Sequence, residues 1–159
     1  KATIIAIAEV ATYAQSQGVK AHGMNLGGRY VFPFGSVKFV PALHSSGYEI
    51  DGVMTYMGEA SGIILEAEDK KIYHAGDTAL FSDMRLFAKD KSIDVAFLPI
   101  GDNYTMGPED ALEAVSYLNP EITIPIHYNT FPVIQQNPAI FVEQVVGGKV
   151  LNPGETILV

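Results

Sequence analysis

No apolar run in this chain is longer than a β-strand, and that limit does most to fix what it can fold into. The longest runs, such as Val95 to Ile100, are strand-sized. None approaches the length that a membrane-spanning helix needs. Short apolar runs separated by turn residues and by a few helical stripes predict stacked layers of sheet and helix around one core.

Ala2 to Ile7 reads as a buried strand and Glu9 to Gln17 as a helix closed by Gly18. Tyr30 to Phe34 and Val37 to Ala42 flank Gly35-Ser36 as a hairpin, with Pro33 confining the first strand to an edge or bulge. Ser45 to Ser61 is polar and glycine-containing and reads as a long loop, either a lid over a site or a mobile surface segment. Ile63 to Glu66 and Lys71 to Tyr73 form a second hairpin around a charged turn. A helix follows from Ser82 to about Lys89, then a strand from Val95 to Ile100.

Pro108 to Leu118 is the clearest helix. Its proline suits the first turn, Glu109 and Asp110 favour the positive end, and Ala111, Leu112, Val115 and Leu118 form its stripe. Ile122 to Ile126 reads as a strand, Ala139 to Val146 as a short helix and Thr156 to Val159 as a last strand. Hairpins followed by alternating strands and helices give an α/β or α+β architecture over residues 1–159, treated as one domain.

Composition narrows the chemistry. The formal net charge is −8 and the pI about 4.8, with ten Lys and Arg spread thinly. A nucleic-acid partner is not expected of such a surface, nor is a membrane. There is no cysteine, so disulfides, thiolate metal sites and cysteine nucleophiles are excluded. Nothing resembles a signal peptide, which makes the cytoplasm the default location. The chain opens on Lys1 and runs straight into an apolar strand, so the reading expects a piece of a longer protein.

Candidate site residues gather where apolar strands end. His44 closes FVPALH, Asp77 lies in IYHAGDT and His127 closes ITIPIH. Strand ends hold side chains firmly while the next loop opens space. Singly, each has an ordinary reading, because a lone histidine after a strand is more often a hydrogen-bonded structural residue and Asp77 fits a turn or helix cap. Three of the four histidines end such strands, however, and no thiol competes for a metal. His74 is placed to support Asp77 by a hydrogen bond, and His22 reads as structural or exposed. Asp102, Asn103, Tyr104 and Thr105 are candidates for the pocket lining, and Asn129 and Thr130 for orienting His127. No nucleophile elbow or phosphate-binding glycine loop is present.

The segments FVPALHSS, IYHAGDTALFSDM, DVAFLPIGDNYTMGPEDA and IPIHYNTFP, in that order, resemble the metallo-β-lactamase superfamily, and within it the UPF0173 metal-dependent hydrolases. The resemblance implies a four-layer αββα sandwich with a dinuclear site at one edge. It implies that His44 binds one metal, Asp77 bridges the two and His127 binds the second, with Asp77 and His127 serving catalysis. Two divalent ions are then the cofactors, zinc first, with manganese or iron also suited. A bridging hydroxide would attack an ester, lactone, amide or phosphodiester of a small-molecule substrate.

The family's HxHxDH motif does not occur in these 159 residues. The expectation is therefore an N-terminally incomplete sandwich with a partial site, weak metal occupancy and little activity on its own. An uncovered sheet edge would seek the missing segment or a second copy. A non-catalytic binding or assembly module on the same fold, and a metal-free hydrolase using paired carboxylates, are the competing readings.

Overall fold

The structure, a computed structural model, describes residues 2–159; Lys1 lies outside them. Its centre is a six-stranded mixed sheet in the order β10-β9-β8-β7-β4-β3. These strands are β3 (Arg29–Phe32), β4 (Gly35–Pro41), β7 (Ser61–Ala67), β8 (Lys70–His74), β9 (Val95–Pro99) and β10 (Ile122–Ile126). β8, β9 and β10 are parallel to one another, while β3, β4, β7 and β8 alternate in direction. β4 thus runs the same way as β8, β9 and β10, and these four strands end at one rim of the sheet.

The pleat sends alternate residues to opposite faces, and each face has its own core. On one face Val40, Ile64, Tyr73, Ala96 and Leu98 pack against helix α2 (Pro108–Leu118), through Ala111, Ala114 and Leu118, and against Phe141 of α3 (Pro138–Val142). On the other, Val37 and Phe39 meet Ile7 and Met24. Those two residues belong to β1 (Ile4–Ile7) and β2 (Ala21–Met24), a parallel pair joined through α1 (Ala8–Ser16). The layers run helix, six-stranded sheet, two-stranded sheet, helix, so the expected αββα order is present with a second sheet of two strands among the described residues.

Several local expectations are corrected. The hairpin turn falls at Pro33-Phe34, before Gly35, so the proline lies outside the strand and needs no bulge. The segment Ser45 to Ser61 is not structureless: it folds into a two-stranded hairpin, β5 (Gly47–Ile50) and β6 (Val53–Tyr56), turned at Asp51-Gly52. His22 and Gly23 interrupt the apolar pattern of β2, and the parallel ladder to β1 is what defines it. Ser82–Leu86 is a 3-10 helix and not an α-helix. α3 begins where the Asn137 side chain accepts from the Ala139 N–H and ends at Val142, short of Val146. Thr156 to Val159 forms no strand, and Leu158 is 96% exposed. Among the described residues no helix is long and apolar enough to cross a membrane.

Candidate metal centre

The rim where β4, β8, β9 and β10 end gathers the residues that the sequence singles out. His44 follows β4, Asp77 follows β8, Gly101 to Gly107 follows β9 and His127 follows β10. Thr78 joins three of these connections. Fully buried, its hydroxyl accepts from the Leu43 N–H at 2.9 Å and donates to the Ala79 carbonyl at 2.7 Å. Its own carbonyl accepts from the Met106 N–H at 2.9 Å, and the Ala79 N–H returns a bond to the Leu43 carbonyl at 3.0 Å. The loops bearing His44, Asp77 and Asp102 are thereby pinned together.

His127 and Asp77 are brought into direct proximity, with Nε2 3.5 Å from a carboxylate oxygen. That distance is long for a hydrogen bond. It suits two ligand atoms that each lie about 2.0–2.2 Å from one shared ion. The other ring nitrogen of His127, Nδ1, is buried without a hydrogen-bond partner, whereas a histidine kept for structural bonding normally satisfies its buried polar atoms. His127 also holds a left-handed backbone, φ 53°, which costs a non-glycine residue about 1–3 kcal/mol. Close packing of β9 on β10 sets its position: a Cβ on Gly101 would overlap the His127 carbonyl and stand 3.1 Å from Nδ1.

Asp77 is reached through a tight turn at Gly76, φ 68°. His74 supports the turn, its Nδ1 accepting from the Gly76 N–H at 3.0 Å. The His74 ring stacks on Phe97 with centroids 5.6 Å apart. Desolvation of the packed ring pushes its pKa below the ordinary value, and the Asp77 carboxylate pulls the other way.

His44 is exposed, and its Nδ1 lies 2.8 Å from the Ser45 carbonyl. A carbonyl only accepts, so Nδ1 is the donor in this contact, and in the neutral ring that leaves Nε2 with its lone pair. That is the tautomer a ligating histidine needs. His44 does not close on the Asp77–His127 pair, however: among the described residues no three His, Asp or Glu side chains converge as a metal-binding group.

Of the remaining candidates, Asn129 does not bond to His127. It braces its own loop, donating from its N–H to the Ile134 carbonyl and accepting at Oδ1 from the Gln136 N–H. His22 packs against Tyr30 and Phe32, away from the rim, with centroids at 4.3 and 5.1 Å. Sequence reading missed Thr78 as the residue that joins the loops; its place in Gly-Asp-Thr was the one available signal.

The donor set fits a divalent cation that accepts imidazole and carboxylate ligands. Residues 2–128 match the family model described as the beta-lactamase superfamily domain. A UPF0173 metal-dependent hydrolase from Enterococcus faecalis is 98% identical over 159 residues, all of this chain and 71% of that protein. One from Bacillus cereus is 52% identical over 160 residues, 98% of this chain and 70% of its own length. A solved metallo hydrolase from the archaeon Ignicoccus hospitalis shares 36% identity at a TM-score of 0.87, over 98% of this chain and 68% of that one. A matching model over most of the chain, one nearly identical relative and a solved neighbour of similar fold agree: the chain belongs to the β-lactamase superfamily, among the UPF0173 metal-dependent hydrolases.

Proposed function

We propose that the rim is part of a divalent-metal centre for hydrolysis, with Asp77, His127 and His44 as protein ligands and a small ester, lactone, amide or phosphodiester as substrate. The observation that carries this reading is the Asp77–His127 pair, 3.5 Å apart at the ends of parallel strands. A divalent ion held there would supply Lewis acidity and make water acidic enough to attack near neutral pH.

The chain's own groups do the rest. His127 offers Nε2 from a backbone packed so closely on Gly101 that no side chain fits between them. Asp77 keeps 48% of its side chain exposed, so its carboxylate is open to hydrogen-bond an incoming water. His44 offers Nε2 from across the rim, its Nδ1 being engaged with the Ser45 carbonyl. Catalytic zinc takes three protein ligands and a dinuclear site more, so we propose that donors beyond these three complete the set, zinc being first choice and manganese or iron the others.

The competing reading is a non-catalytic module on the same fold. It draws on the lack of a third donor converging on the pair among the described residues.

Metal content by mass spectrometry separates the two. In the longer Enterococcus faecalis relative, about two equivalents are expected, falling on substitution of His44, Asp77 or His127 by alanine. The 159-residue chain should hold less. No bound zinc or manganese in the longer protein after reloading would leave the non-catalytic module.

A further inference from the structure

The helix-side face of the six-stranded sheet holds a cavity of about 240 Å³, lined from β3, β4, β7 and β8 and from segment 86–90. The pleat builds its floor. Lys38 pairs with Arg29 on one side and with Ile64 on the other, and Glu66, two residues beyond Ile64, pairs with Lys71. All five therefore stand on the face that carries Val40. Leu86, Phe87 and Asp90 line the cavity from the end of the 3-10 helix and the segment after it. None of His44, Asp77 and His127 lines it.

Three cations, Arg29, Lys38 and Lys71, and two carboxylates, Glu66 and Asp90, border this space, a local positive excess in a chain of net charge −8. Their partners are unequally shared. Arg29 is taken up by Glu66 through two bonds, at 2.7 and 2.9 Å. Lys71 is buried, and its ammonium donates to the Phe87 carbonyl at 2.6 Å and the Lys91 carbonyl at 3.1 Å. Those bonds tie segment 87–91 to the sheet and use two of its three N–H groups. Burial pushes the Lys71 pKa below its ordinary value; Glu66 and Asp90 oppose the shift, while Arg29 and Lys38 add to it. With Lys70, Lys89 and Lys91, Lys71 marks the end of the sheet away from the rim, where β8 and β9 begin. Lys38 is half-buried and, among the described residues, belongs to no ion pair; Asp90 is unpaired too but exposed. Lys38 is thus the cation inside the cavity with no counter-charge.

We propose that this cavity binds a small monocarboxylate with a flat apolar body, the carboxylate on Lys38 and the body against Ile64, Leu86 and Phe87. A half-buried ammonium gains a charge-assisted bond from such a partner, and the apolar walls take the rest of the ligand out of water. The space is at the small end of ligand sites, which limits the body to about one ring. A phosphate fits less well, because its second charge finds no further free cation and its hydration is lost against apolar walls. The site lies apart from the metal centre and does not depend on the hydrolase reading.

Benzoate and benzamide, alike in shape and different in charge, test this when titrated into the chelator-treated full chain at low ionic strength and followed by NMR. Benzoate should saturate with a Kd of about 1 mM or below and shift the amides of residues 38–40, 64 and 86–90. Benzamide should bind at least about tenfold more weakly. Lys38→Gln should weaken benzoate about tenfold, and Leu86→Ala, at an exposed position, about threefold. Lys149→Gln, which removes a cation outside the cavity, should leave it unchanged, and far-UV circular dichroism should match the parent in every variant. Benzamide binding as tight as benzoate, benzoate binding that survives Lys38→Gln, or displacement of benzoate by equimolar inorganic phosphate would overturn the proposal. So would shifts confined to residues 101–107 and 127–131, or no saturation by about 10 mM.

Discussion

At the scale of single residues, the site depends on two positions that are not themselves ligands. Thr78→Val keeps the shape but removes the acceptor of the part-buried Leu43 N–H and the hydroxyl's bond to the Ala79 carbonyl, which costs about 0.5–1.5 kcal/mol per bond. Denaturant unfolding should show that loss, and metal affinity should fall with it because the loops of His44 and Asp77 share this contact. Gly101→Ala drives a methyl into the His127 carbonyl. It should cost about 1–3 kcal/mol and lower metal uptake, read by mass spectrometry of the reloaded protein. His44, Asp77 and His127 were legible in the sequence because each ends an apolar run. Thr78 was not, since Leu43 and Met106 lie far from it along the chain and only the fold shows the bonds.

Elements bring in pH and motion. Asp94 precedes β9 and is buried. Burial works to raise its pKa, but the Lys71 N–H at 2.8 Å and the Lys70 ammonium at 3.1 Å overcome that and hold the carboxyl below its ordinary value. A depressed carboxylate contributes stability that is present above its unfolded pKa, about 3.9, and lost as pH falls through the folded one. Asp94→Ala should therefore be less stable than the parent near neutrality, by about 1–3 kcal/mol for the orphaned N–H, and the charge-dependent part of the gap should close in chemical unfolding below about pH 4.

The β5–β6 hairpin is the opposite case. Tyr48, Val53, Met54 and Tyr56 are all more than half exposed. Replacing residues 47–56 with a short glycine-serine linker should leave the thermal midpoint within about 2 °C of the parent. The hairpin had a signal in Asp51-Gly52, whose positive φ angles suit a tight hairpin turn, but its strands carry no buried face to mark them as part of a core. Pro108 to Leu118 was plain because its proline, acidic first turn and stripe agree.

At the scale of the whole molecule, the two faces of the sheet have separate cores. Phe39, 2% exposed, belongs to the smaller one. Phe39→Ala should cost about 3–5 kcal/mol, and hydrogen exchange should show β1, α1 and β2 losing protection before α2 and β9 do. That sheets and helices form layers was readable from the alternating strand and helix periods, while the αββα order came from the family resemblance. Strand order was not, since pairing of β4 with β7 and of β8 with β9 is decided by contacts that no local pattern encodes.

The shared direction of β4, β8, β9 and β10 has a further effect. Among the described residues, each candidate metal ligand hangs on a connection leaving the same rim, while the packing that holds the sheet lies along the strands behind it. Drift can therefore rewrite one margin of the molecule, loop by loop, and leave its foundations untouched. Among relatives, the variety in what they act on should accumulate at that margin, in segments 42–60, 100–107 and 127–137, and thin out toward the lysine-bearing end.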